Sequence, residues 1–454
     1  MTPQTSPETA VKGQTPEGLK AGDGPHLLQR CRTRVSPALQ ALLHTAARTA
    51  DAHRVRVYAV GGFVRDLLLG VRDEDLDLTV EGDGVAFARH FAAATEGICK
   101  GPSAFGTAVV IARDGHKIDV ATARRETYKH PAALPTVEPG TIRDDLFRRD
   151  FSINTMALAL NGPEAFTLLD RYGGQADLAE GVIRVLHNRS FRDDPTRIFR
   201  AIRLEQRFGF VLHRHTLRLL QRAVEKRWIE LLSGARLWRE LRLMLGGEAP
   251  VACLERLDEL QILPHIDAAL VLSPAQLALL TRVTEARIEL AETHPEVIGR
   301  AWPLYLTTLL YGMEADLIRR IGTRLALAPR AIQELLAGIA AVEAACHRLR
   351  LETDLRPSAV VAALRALPLE LLPLLLALSP SGEVRQLIQS YLMTWRHVRP
   401  GLTGDDLKRL GVPQGPQIGR LLTRVLAAKL DGEAPTLEAE ESLVRRAVTQ
   451  VQDA

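Results

Sequence analysis

Two aspartates separated by one residue have the spacing of a metal-binding pair. Asp75 and Asp77 alternate with leucines and follow a Gly-Gly turn at Gly61 and Gly62. Side chains two apart on a strand point to the same face, so both carboxylates can hold hard cations that prefer oxygen ligands and bridge to substrate phosphates. Because glycine has no side chain, the turn lets the backbone approach a triphosphate closely. The combination predicts a metal-dependent nucleotide-transfer site.

A third acid could complete this site. Asp119 lies between Ile118 and Val120, and on a neighbouring strand it could face the same site. Three carboxylates suit two magnesium ions, which would lower the pKa of an attacking hydroxyl and stabilise the leaving oxygen of a displacement at phosphorus. Acids that alternate with leucines also occur in half-buried strands without a catalytic role. That alternative stays open for the Asp-x-Asp pattern alone.

Arginines near the turn and farther along the chain could bind phosphate. Arg65 follows the two glycines and can bind phosphate in a bidentate manner, whereas Asp66 is expected to cap or orient the turn. Arg148 and Arg149 precede Asp150 and an apolar stretch, and one of these arginines would be useful near a phosphate or a ribose. The alternative for this segment is a helix with Asp150 as its N-cap.

The densest group of charged residues opens a predicted helix. Pro195 suits the first helical position, and Asp194 lies ahead of it. Arg197, Arg200 and Arg203 follow at intervals of three, so neighbours in the series share a face. A carboxylate beside a guanidinium offers an acceptor next to donors, a pairing that could read the edge of a nucleobase. A surface salt-bridge ladder is the alternative interpretation.

The pattern of elements predicts an α+β fold. Four β-rich runs indicate a small mixed sheet that ends near residue 165, namely 55–60, 76–80, 105–111 and 117–121. Residues 122–145 contain three prolines and little periodicity, and we interpret them as a long mobile loop. Beyond Gly181 long amphipathic patterns predict that the remainder is nearly all α.

The composition allows more than one core and a polyanionic partner. With 454 residues, of which 46% are hydrophobic and 25% charged, the chain can form two to four domains. The net charge is only +4, but residues 184–242 hold 15 Lys and Arg against 6 Asp and Glu. Such a run favours a nucleic-acid partner or is simply a solvated helical face. No P-loop, no Gly-x-Ser-x-Gly elbow and no His-Glu-x-x-His pair occurs, which excludes those kinds of site.

Cysteine spacing and apolar runs bear on the location of the protein. The four cysteines are far apart and form no Cys-x-x-Cys pair, which is typical of free thiols in a reducing compartment. Residues 1–25 are rich in Pro, Thr, Gly and Glu and lack the apolar core of a signal peptide, so we expect a disordered extension. The leucine-rich run 369–378 is shorter than a membrane span of about 20 residues. We therefore expect no membrane association and a cytoplasmic location.

Together these motifs resemble the class II tRNA nucleotidyltransferases and bacterial poly(A) polymerases of the DNA polymerase β superfamily. The similarity covers about residues 55–210, and the segment 402–432 also resembles the C-terminal part of many members. The motifs occur in family order: Gly-Gly-x-Val-Arg-Asp at 61–66, Asp-x-Asp at 75–77, Phe-Gly-Thr at 105–107, Ile-Asp-Val at 118–120, Arg-Arg-Asp-Phe at 148–151 and Asp-Asp-Pro-x-Arg at 193–197.

The resemblance implies a role for each candidate residue. Asp75, Asp77 and Asp119 would be the catalytic carboxylates, and the first two would hold Mg²⁺. Asp194 and Arg197 would select the incoming base through protein hydrogen bonds rather than through a nucleic-acid template. Whether Arg148 or Arg149 contacts the nucleotide stays open. The implied nucleotide-binding residues are Gly62, Arg65, Arg149, Asp194, Arg197, Arg200 and Arg203.

The resemblance also implies a seahorse-like arrangement of domains and a set of partners. The expected segments are the extension at 1–25, a catalytic nucleotidyltransferase head at 26–165, a nucleotide-selecting neck at 166–245, a helical body at 246–350 and a tRNA-binding tail at 351–454. ATP and CTP would be the small substrates. The basic neck and the body would hold the acceptor stem and T arm of tRNA through its phosphates, largely by shape.

The activity implied is Mg²⁺-dependent addition of CCA, or of the terminal A alone, to the tRNA 3′ end with release of pyrophosphate. A CC-only enzyme is disfavoured because the loop before Arg148 is long, and residues 121–128 resemble A-adding members at least as well as CCA-adding ones. A poly(A) polymerase acting on RNA 3′ ends stays an alternative. A non-catalytic RNA-binding protein on the same scaffold is an alternative of another class. Oligomeric state is not determined by the sequence.

Overall fold

The computed structural model describes residues 33–71, 75–103, 106–351, 355–379 and 381–452. These residues form two compact units. Unit 1 contains the described residues up to Met244 and the segment Arg256–Ala268, and unit 2 contains Leu245–Glu255 and the described residues from Ala269 onward. The extension predicted for residues 1–25 and the predicted strand residue Phe105 lie outside the described residues. The four-segment division into head, neck, body and tail stays a prediction.

A mixed seven-stranded sheet forms the centre of unit 1, in the order β3-β4-β5-β2-β1-β8-β9. Strand β2 pairs with β5 in parallel and the other neighbours pair antiparallel. The strands are β1 (Arg56–Val60), β2 (Leu76–Glu81), β3 (Ile98–Lys100), β4 (Thr107–Ile111), β5 (Lys117–Thr122), β8 (Met156–Ala159) and β9 (Leu168–Asp170). The mixed sheet expected from the sequence is confirmed.

One face of this sheet is covered by helices. The helices around it are α1 (Pro37–Ala52), α2 (Gly62–Leu69) and α3 (Gly84–Ala94). Helices α1 and α3 pack against each other and against the sheet. Along β5, Ile118 and Val120 are buried whereas Lys117 and Asp119 are exposed, as the two-residue period of a half-buried strand requires. The face that carries the acidic residue of β5 is therefore open.

The segment predicted as a long mobile loop, residues 122–145, is largely regular, and that prediction is wrong. It contains the hairpin of β6 (Arg124–Thr127) and β7 (Thr136–Pro139), followed by α4 (Ile142–Phe147). The sequence hid the hairpin because its two short strands bury no apolar face and β7 ends in proline. Helix α4 is fixed by a capping box, in which Thr141 and Asp144 each accept a backbone hydrogen bond from the other.

The rest of unit 1 is helical apart from two short strands, β10 (Val182–Ile183) and β11 (Val211–Leu212), which pair in parallel. The nearly all-α remainder expected beyond Gly181 is thus confirmed for the described residues. The helices that complete this unit are α5 (Gly174–Glu180), α6 (Ser190–Asp193), α7 (Thr196–Phe208), α8 (Arg214–Glu225) and α9 (Gly234–Leu245).

The remaining helices bury a leucine-rich core. Val283, Val342 and Leu374 are among its fully buried members, and a smaller C-terminal core contains Leu407 and Val425. These helices are α10 (Pro250–Glu259), α11 (Pro274–Thr293), α12 (Ala301–Leu310), α13 (Ala315–Arg324), α14 (Pro329–Leu351), α15 (Pro357–Leu364), α16 (Leu372–Leu378), α17 (Gly382–Met393), α18 (Gly404–Arg409), α19 (Pro416–Leu430) and α20 (Leu437–Gln452).

The apolar helices and the cysteines have limited lengths and pairings. Within the described part of the chain, no single helix is long and apolar enough to cross a bilayer. One bent pair, α15 with Leu369–Leu378, meets that test by length and composition only. No disulfide joins the three described cysteines, Cys99, Cys253 and Cys346.

Candidate active site

A cavity of about 820 Å³ in unit 1 collects the residues that the sequence singled out. Its lining combines carboxylates with arginines, several of which lie on α7 and α9. All ten candidate residues line it: Gly62, Arg65, Asp75, Asp77, Asp119, Arg149, Asp194, Arg197, Arg200 and Arg203. Residues separated by more than a hundred positions in the sequence therefore contribute to one concave surface.

The parallel pairing of β2 with β5 brings the acids together. Asp77 and Asp119 are direct partners in the strand register, and Asp75 lies just before β2. The Asp77 side chain is exposed to the cavity. Partial desolvation by the surrounding cavity walls raises the pKa of Asp77 to about 6, and repulsion from Asp119 and Asp75 adds to the shift against the opposing effect of Arg149. The local field therefore favours a cation at these carboxylates.

The three aspartates do not form a complete metal site by themselves. Among the described residues, no group of three His, Cys, Asp or Glu side chains has an arrangement that could hold a metal ion. Magnesium ions in nucleotide-dependent enzymes are commonly bound by one or two carboxylates together with substrate phosphates. Asp75 and Asp77 fit that donor set, in which a triphosphate supplies the remaining oxygens.

A lysine that sequence reasoning missed lies beside these acids. The ammonium of Lys117 donates to Asp119 Oδ2 at 3.0 Å, and both side chains are about half exposed. This hydrogen bond and the charges of the neighbouring acids raise the pKa of Lys117. Its position two residues before Asp119 on one strand is the signal that could have found it, because such residues share a face.

Of the two glycines in the turn, Gly61 is the one that has no room for a side chain. Its φ is +72°, and a Cβ there would lie 2.7 Å from Arg149 Nη1 and 4.0 Å from Asp77 Oδ2. A Cβ at Gly62 would lie only at ordinary contact distance, 3.5 Å, from an Arg65 nitrogen. The guanidinium of Arg149 thus lies directly over Gly61, near Asp77, and only a glycine leaves room for it.

Asp145, which is fully buried, positions both arginines of the Arg-Arg pair. Arg149 donates to Asp145 Oδ2 at 2.9 Å, and Arg148 donates to Asp145 Oδ1 at 2.6 Å and to Glu126 at 3.1 Å. Burial would raise the pKa of Asp145, but the two arginines outweigh it and lower that pKa. Both arginines line the cavity, and the contact with Gly61 places Arg149 at its carboxylate-bearing part.

Arg65 is part of a buried hydrogen-bond network. Its Nε and Nη2 both donate to Asp66 at 2.8 Å, and its Nη1 donates to Asn154 at 2.7 Å. The guanidinium also lies over the ring of Phe208, 4.9 Å from its centre. Asp66 therefore orients Arg65 by a bidentate ion pair, whereas the sequence predicted that it would cap or orient the turn.

The same network continues to α7. Asn154 donates to Asp150 Oδ1 at 3.0 Å, and Arg200 donates to Asp150 Oδ2 through Nε at 2.7 Å and Nη2 at 2.6 Å. Burial would raise the pKa of Asp150, but Arg200 and Asn154 hold it well below its usual range. Instead of capping an α-helix, Asp150 precedes a short 3₁₀ turn and fixes Arg200.

Hydrogen bonds to neighbouring residues fix Asp194 and Arg197, and each side chain keeps hydrogen-bonding capacity for a ligand. Asp194 Oδ1 accepts from the Thr196 backbone N–H at 3.0 Å and from Arg236 at 2.7 Å. Arg197 Nη1 donates to Ser190 at 2.8 Å and its Nη2 donates to the Arg148 carbonyl at 2.6 Å. Oδ2 of the carboxylate carries none of these bonds, so an acceptor and a guanidinium line the cavity in fixed positions.

Arg203 makes only a long contact, with Glu240. Their closest nitrogen and oxygen are 3.9 Å apart, and Arg203 Nε and Glu240 Oε2 are buried without a hydrogen-bond partner among the described residues. Burial lowers the pKa of Arg203 and raises that of Glu240. Sequence reasoning missed Glu240 and Arg236, although their spacing of four on a basic helix places them on one face.

Comparisons with known proteins show the family to which this chain belongs. A family described as the poly A polymerase head domain matches residues 57–184. An A-adding tRNA nucleotidyltransferase of Halalkalibacterium halodurans is 33% identical over 83% of this chain and 84% of its own length. The chain belongs to the tRNA nucleotidyltransferase family. The α+β fold with a polymerase β-like sheet and a mostly helical remainder is that of the family.

Two further members of the tRNA nucleotidyltransferase family show the extent of the similarity. An A-adding tRNA nucleotidyltransferase of Geobacter sulfurreducens is 40% identical over 93% of this chain, which spans 48% of that relative's length. The solved structure of the Thermotoga maritima CCA-adding enzyme complexed with tRNA has a TM-score of 0.70 and 32% identity, covering 93% of this chain and 98% of that one. Members of this family generally use a divalent metal, which the aspartates at the cavity fit.

Proposed function

We propose that this chain transfers a nucleotide from a nucleoside triphosphate to the 3′-hydroxyl of tRNA and releases pyrophosphate. The last step of the CCA end, addition of AMP from ATP, is the form favoured by the relatives, since those of Geobacter sulfurreducens and Halalkalibacterium halodurans are both named as A-adding. Addition of the whole CCA end from CTP and ATP is the second candidate, favoured by the likeness to the Thermotoga maritima CCA-adding enzyme. We place the reaction in the cytoplasm, where tRNA and ATP are available.

A single observation carries this proposal. The acids Asp75, Asp77 and Asp119 and the fixed pair of Asp194 and Arg197 line the same cavity. A triphosphate therefore has carboxylates near which its metal can bind and an acceptor beside donors near which its base can bind. The volume of about 820 Å³ is sufficient for a nucleoside triphosphate.

Asp75 and Asp77 would hold Mg²⁺, and Asp119 would lie next to them as the third carboxylate. When bound, Mg²⁺ neutralises phosphate charge and activates the attacking hydroxyl. Arg149, held by Asp145 over Gly61, would contact the phosphates from the same part of the cavity. Gly62 and Arg65 are further proposed contacts of the triphosphate. Arg65 would use the guanidinium N–H groups that do not donate to Asp66 or Asn154.

The base would be selected by hydrogen bonds to the protein. Adenine and cytosine each present an amino donor next to a ring-nitrogen acceptor on the Watson–Crick edge, whereas uracil and guanine present a carbonyl next to an N–H. Asp194 Oδ2 can accept from the amino group, and Arg197 can donate to the ring nitrogen. Arg203 would extend this surface, and Arg200, bound to Asp150, would contribute mainly its charge.

The experiment that tests the function supplies labelled ATP and CTP, separately and together, to two tRNAs. One tRNA ends at the discriminator base and the other ends in CC. Extension of only the CC-ended tRNA by a single A establishes an A-adding enzyme, and formation of CCA on the first tRNA establishes the full activity. Long A tails on a non-tRNA substrate would instead identify a poly(A) polymerase. Incorporation into no RNA at all, with Mg²⁺ present, would overturn the proposal and leave an RNA-binding protein.

A further inference from the structure

A second cavity of unit 1, of about 670 Å³, lies against the first one. Its lining includes Glu126, Tyr128, Arg148 and Arg197, which also line the nucleotide cavity, so these four residues form a shared wall. None of the candidate catalytic aspartates is among its lining residues. This volume is within the range of small-molecule and nucleotide sites. The function proposed above places no ligand in this cavity.

An exposed aromatic ring lies at this cavity. Phe147, the last residue of α4, is 47% exposed and is the only aromatic residue among the large, exposed hydrophobic side chains of the described chain. Its ring is held in place by two others, with centres 5.4 Å from the ring of His187 and 5.9 Å from that of Tyr172. Leaving a phenylalanine in water is unfavourable, whereas a fixed, exposed ring is suited to stacking with a planar ligand.

An unsatisfied nitrogen lies next to this ring. His187 Nδ1 is buried and has no hydrogen-bond partner among the described residues. Burial, with the charges of Arg197 and Arg189, lowers the pKa of His187 to about 4, so the imidazole is neutral at pH 7. A buried polar atom without a partner costs free energy. A ligand that offers a hydroxyl or an amino group could satisfy this nitrogen.

Two arginines at the same cavity are only loosely paired. The Arg125 side chain is 60% exposed and lies 3.5 Å from Asp144, and that of Arg189 is 73% exposed and lies 4.0 Å from Asp193. Exposed pairs at such distances contribute little to stability, so either guanidinium can turn to another anion at small cost. Guanidinium groups are suited to phosphate and to stacking on bases.

We propose that this second cavity binds one nucleotide of the single-stranded RNA 3′ end, with its base on Phe147 and its phosphate near Arg125 and Arg189. The inference rests on the proposed function, which requires an RNA acceptor next to the incoming nucleotide. An exposed ring combined with arginines is the usual means of holding unpaired RNA bases. The shared wall places such a base beside the bound triphosphate, and His187 Nδ1 would pair with a ribose hydroxyl or a base amino group.

A fluorescent variant tests the occupant directly. Phe147→Trp keeps an aromatic ring at the site, and stacking of a base on the indole quenches its emission. The chain has four tryptophans of its own, so the change is measured as the difference from the unchanged protein. We expect saturable quenching on titration with tRNA that ends in CC and none with ATP alone. Quenching by ATP alone would show that the cavity binds a free mononucleotide. Absence of quenching by tRNA would show that no base of the RNA 3′ end stacks on this residue. Either result would overturn the proposal.

Substitutions that remove the ring measure its contribution. Phe147→Ala should raise the KM for tRNA about 5- to 150-fold, the range found when a stacking ring is removed from a single-strand site, while the KM for ATP stays within twofold. Phe147→Leu should resemble Phe147→Ala, and Phe147→Trp should restore the KM, which a purely structural role would not predict. Leu231→Ala is the control, because Leu231 is 58% exposed and lines neither cavity.

The outcomes separate this inference from the proposed function. Normal nucleotide incorporation with an unchanged KM for tRNA in Phe147→Ala would overturn the second site alone. Absence of incorporation by the unchanged protein, on any RNA, would overturn the function first. Melting temperatures of the variants within about 2 °C of the unchanged protein would show that altered KM values come from binding, as expected for a half-exposed side chain.

Discussion

At the residue scale, Asp77 is the carboxylate on which we propose that nucleotide transfer depends most directly. It lies between Asp119, its partner across the strands, and Arg149, and its raised pKa reflects partial desolvation and acidic neighbours. Asp77→Ala should abolish nucleotide incorporation, measured with labelled ATP, and leave tRNA affinity within a few-fold. The exposed acid Asp114, in the turn between β4 and β5, provides the control substitution Asp114→Ala. Turnover retained by Asp77→Ala would remove Asp77 from the metal site.

The steric role of Gly61 leads to a second prediction. Gly61→Ala would require a positive φ, which costs about 1 kcal/mol or more, and would push Arg149 away from Asp77. We expect a lower melting temperature and at least a tenfold lower kcat. The control is Gly209→Ala, because Gly209 has φ +65° and nothing within 4 Å of its Cβ position. A similar loss of kcat in both variants would show that backbone strain alone, and not the displaced arginine, is responsible.

The ion pair of Asp150 and Arg200 is buried on one side only, since the Arg200 side chain is 39% exposed. Asp150→Asn leaves this guanidinium without its counter-charge, and because solvent screens part of it we expect a loss of about 1–3 kcal/mol in the free energy of unfolding. The exposed pair of Arg330 and Glu334 is the control, since Glu334→Gln should cost about 0.5 kcal/mol or less. Urea denaturation at pH 7 measures both differences.

The pH dependence of this pair has a definite sign. The folded-state pKa of Asp150 is depressed, so its contribution to stability is complete above the unfolded-state pKa, near 3.9, and is lost as the pH falls toward the folded-state value. The stability difference between the unchanged protein and Asp150→Asn should therefore narrow below about pH 4. A stability difference that stayed constant below pH 4 would contradict the ion pair between Asp150 and Arg200.

At the element scale, the sequence revealed the strands that carry the acids but not the hairpin that closes the cavity. Apolar residues alternate with Asp77 and Asp119 along the sequence, and this local pattern was enough to predict both strands. The hairpin of β6 and β7 owes its position to contacts with residues far along the chain: Ala132 N–H donates to the Arg192 carbonyl at 3.0 Å, and the Ala132 carbonyl accepts from Arg236 at 2.8 Å. No spacing in the sequence indicates such long-range bonds. Lys117 and Glu240, in contrast, had a local signal, because each shares a strand or helix face with another residue of the site.

Arg236 connects this hairpin to Asp194, the carboxylate proposed to select the base, which gives the next prediction. One nitrogen of its guanidinium donates to the Ala132 carbonyl and the other to Asp194 Oδ1. Arg236→Met should speed amide hydrogen exchange in residues 124–139 and weaken discrimination against UTP and GTP. Arg239→Met is the matched control, because Arg239 lies on the same helix and lines the same cavity but makes no hydrogen bond to the described hairpin. Unchanged exchange in Arg236→Met would show that the hairpin is held by other contacts.

At the scale of the whole molecule, the placement of charge matters more than its sum. The chain carries a net charge of only +4, yet residues 184–242 have nine more basic than acidic residues. Several of those arginines line the cavity of about 820 Å³. Helix α8 presents another set to solvent: Arg214, Arg218 and Arg222 are exposed and recur every four residues, and none of them forms an ion pair with a described residue. Such a stripe of unpaired cations is suited to a phosphate backbone.

The stripe predicts how tRNA binding responds to salt. Replacing Arg214, Arg218 and Arg222 by Gln should weaken tRNA binding and make the slope of log affinity against log salt shallower by about 2 to 3 units, because each lost phosphate contact removes about 0.7–0.9. The control replaces three exposed arginines that already have acidic partners, Arg113, Arg319 and Arg330. Both variants lose three positive charges, so a net-charge effect would weaken binding equally in the two. A change in slope confined to the α8 variant would instead show that tRNA phosphates lie along this helix.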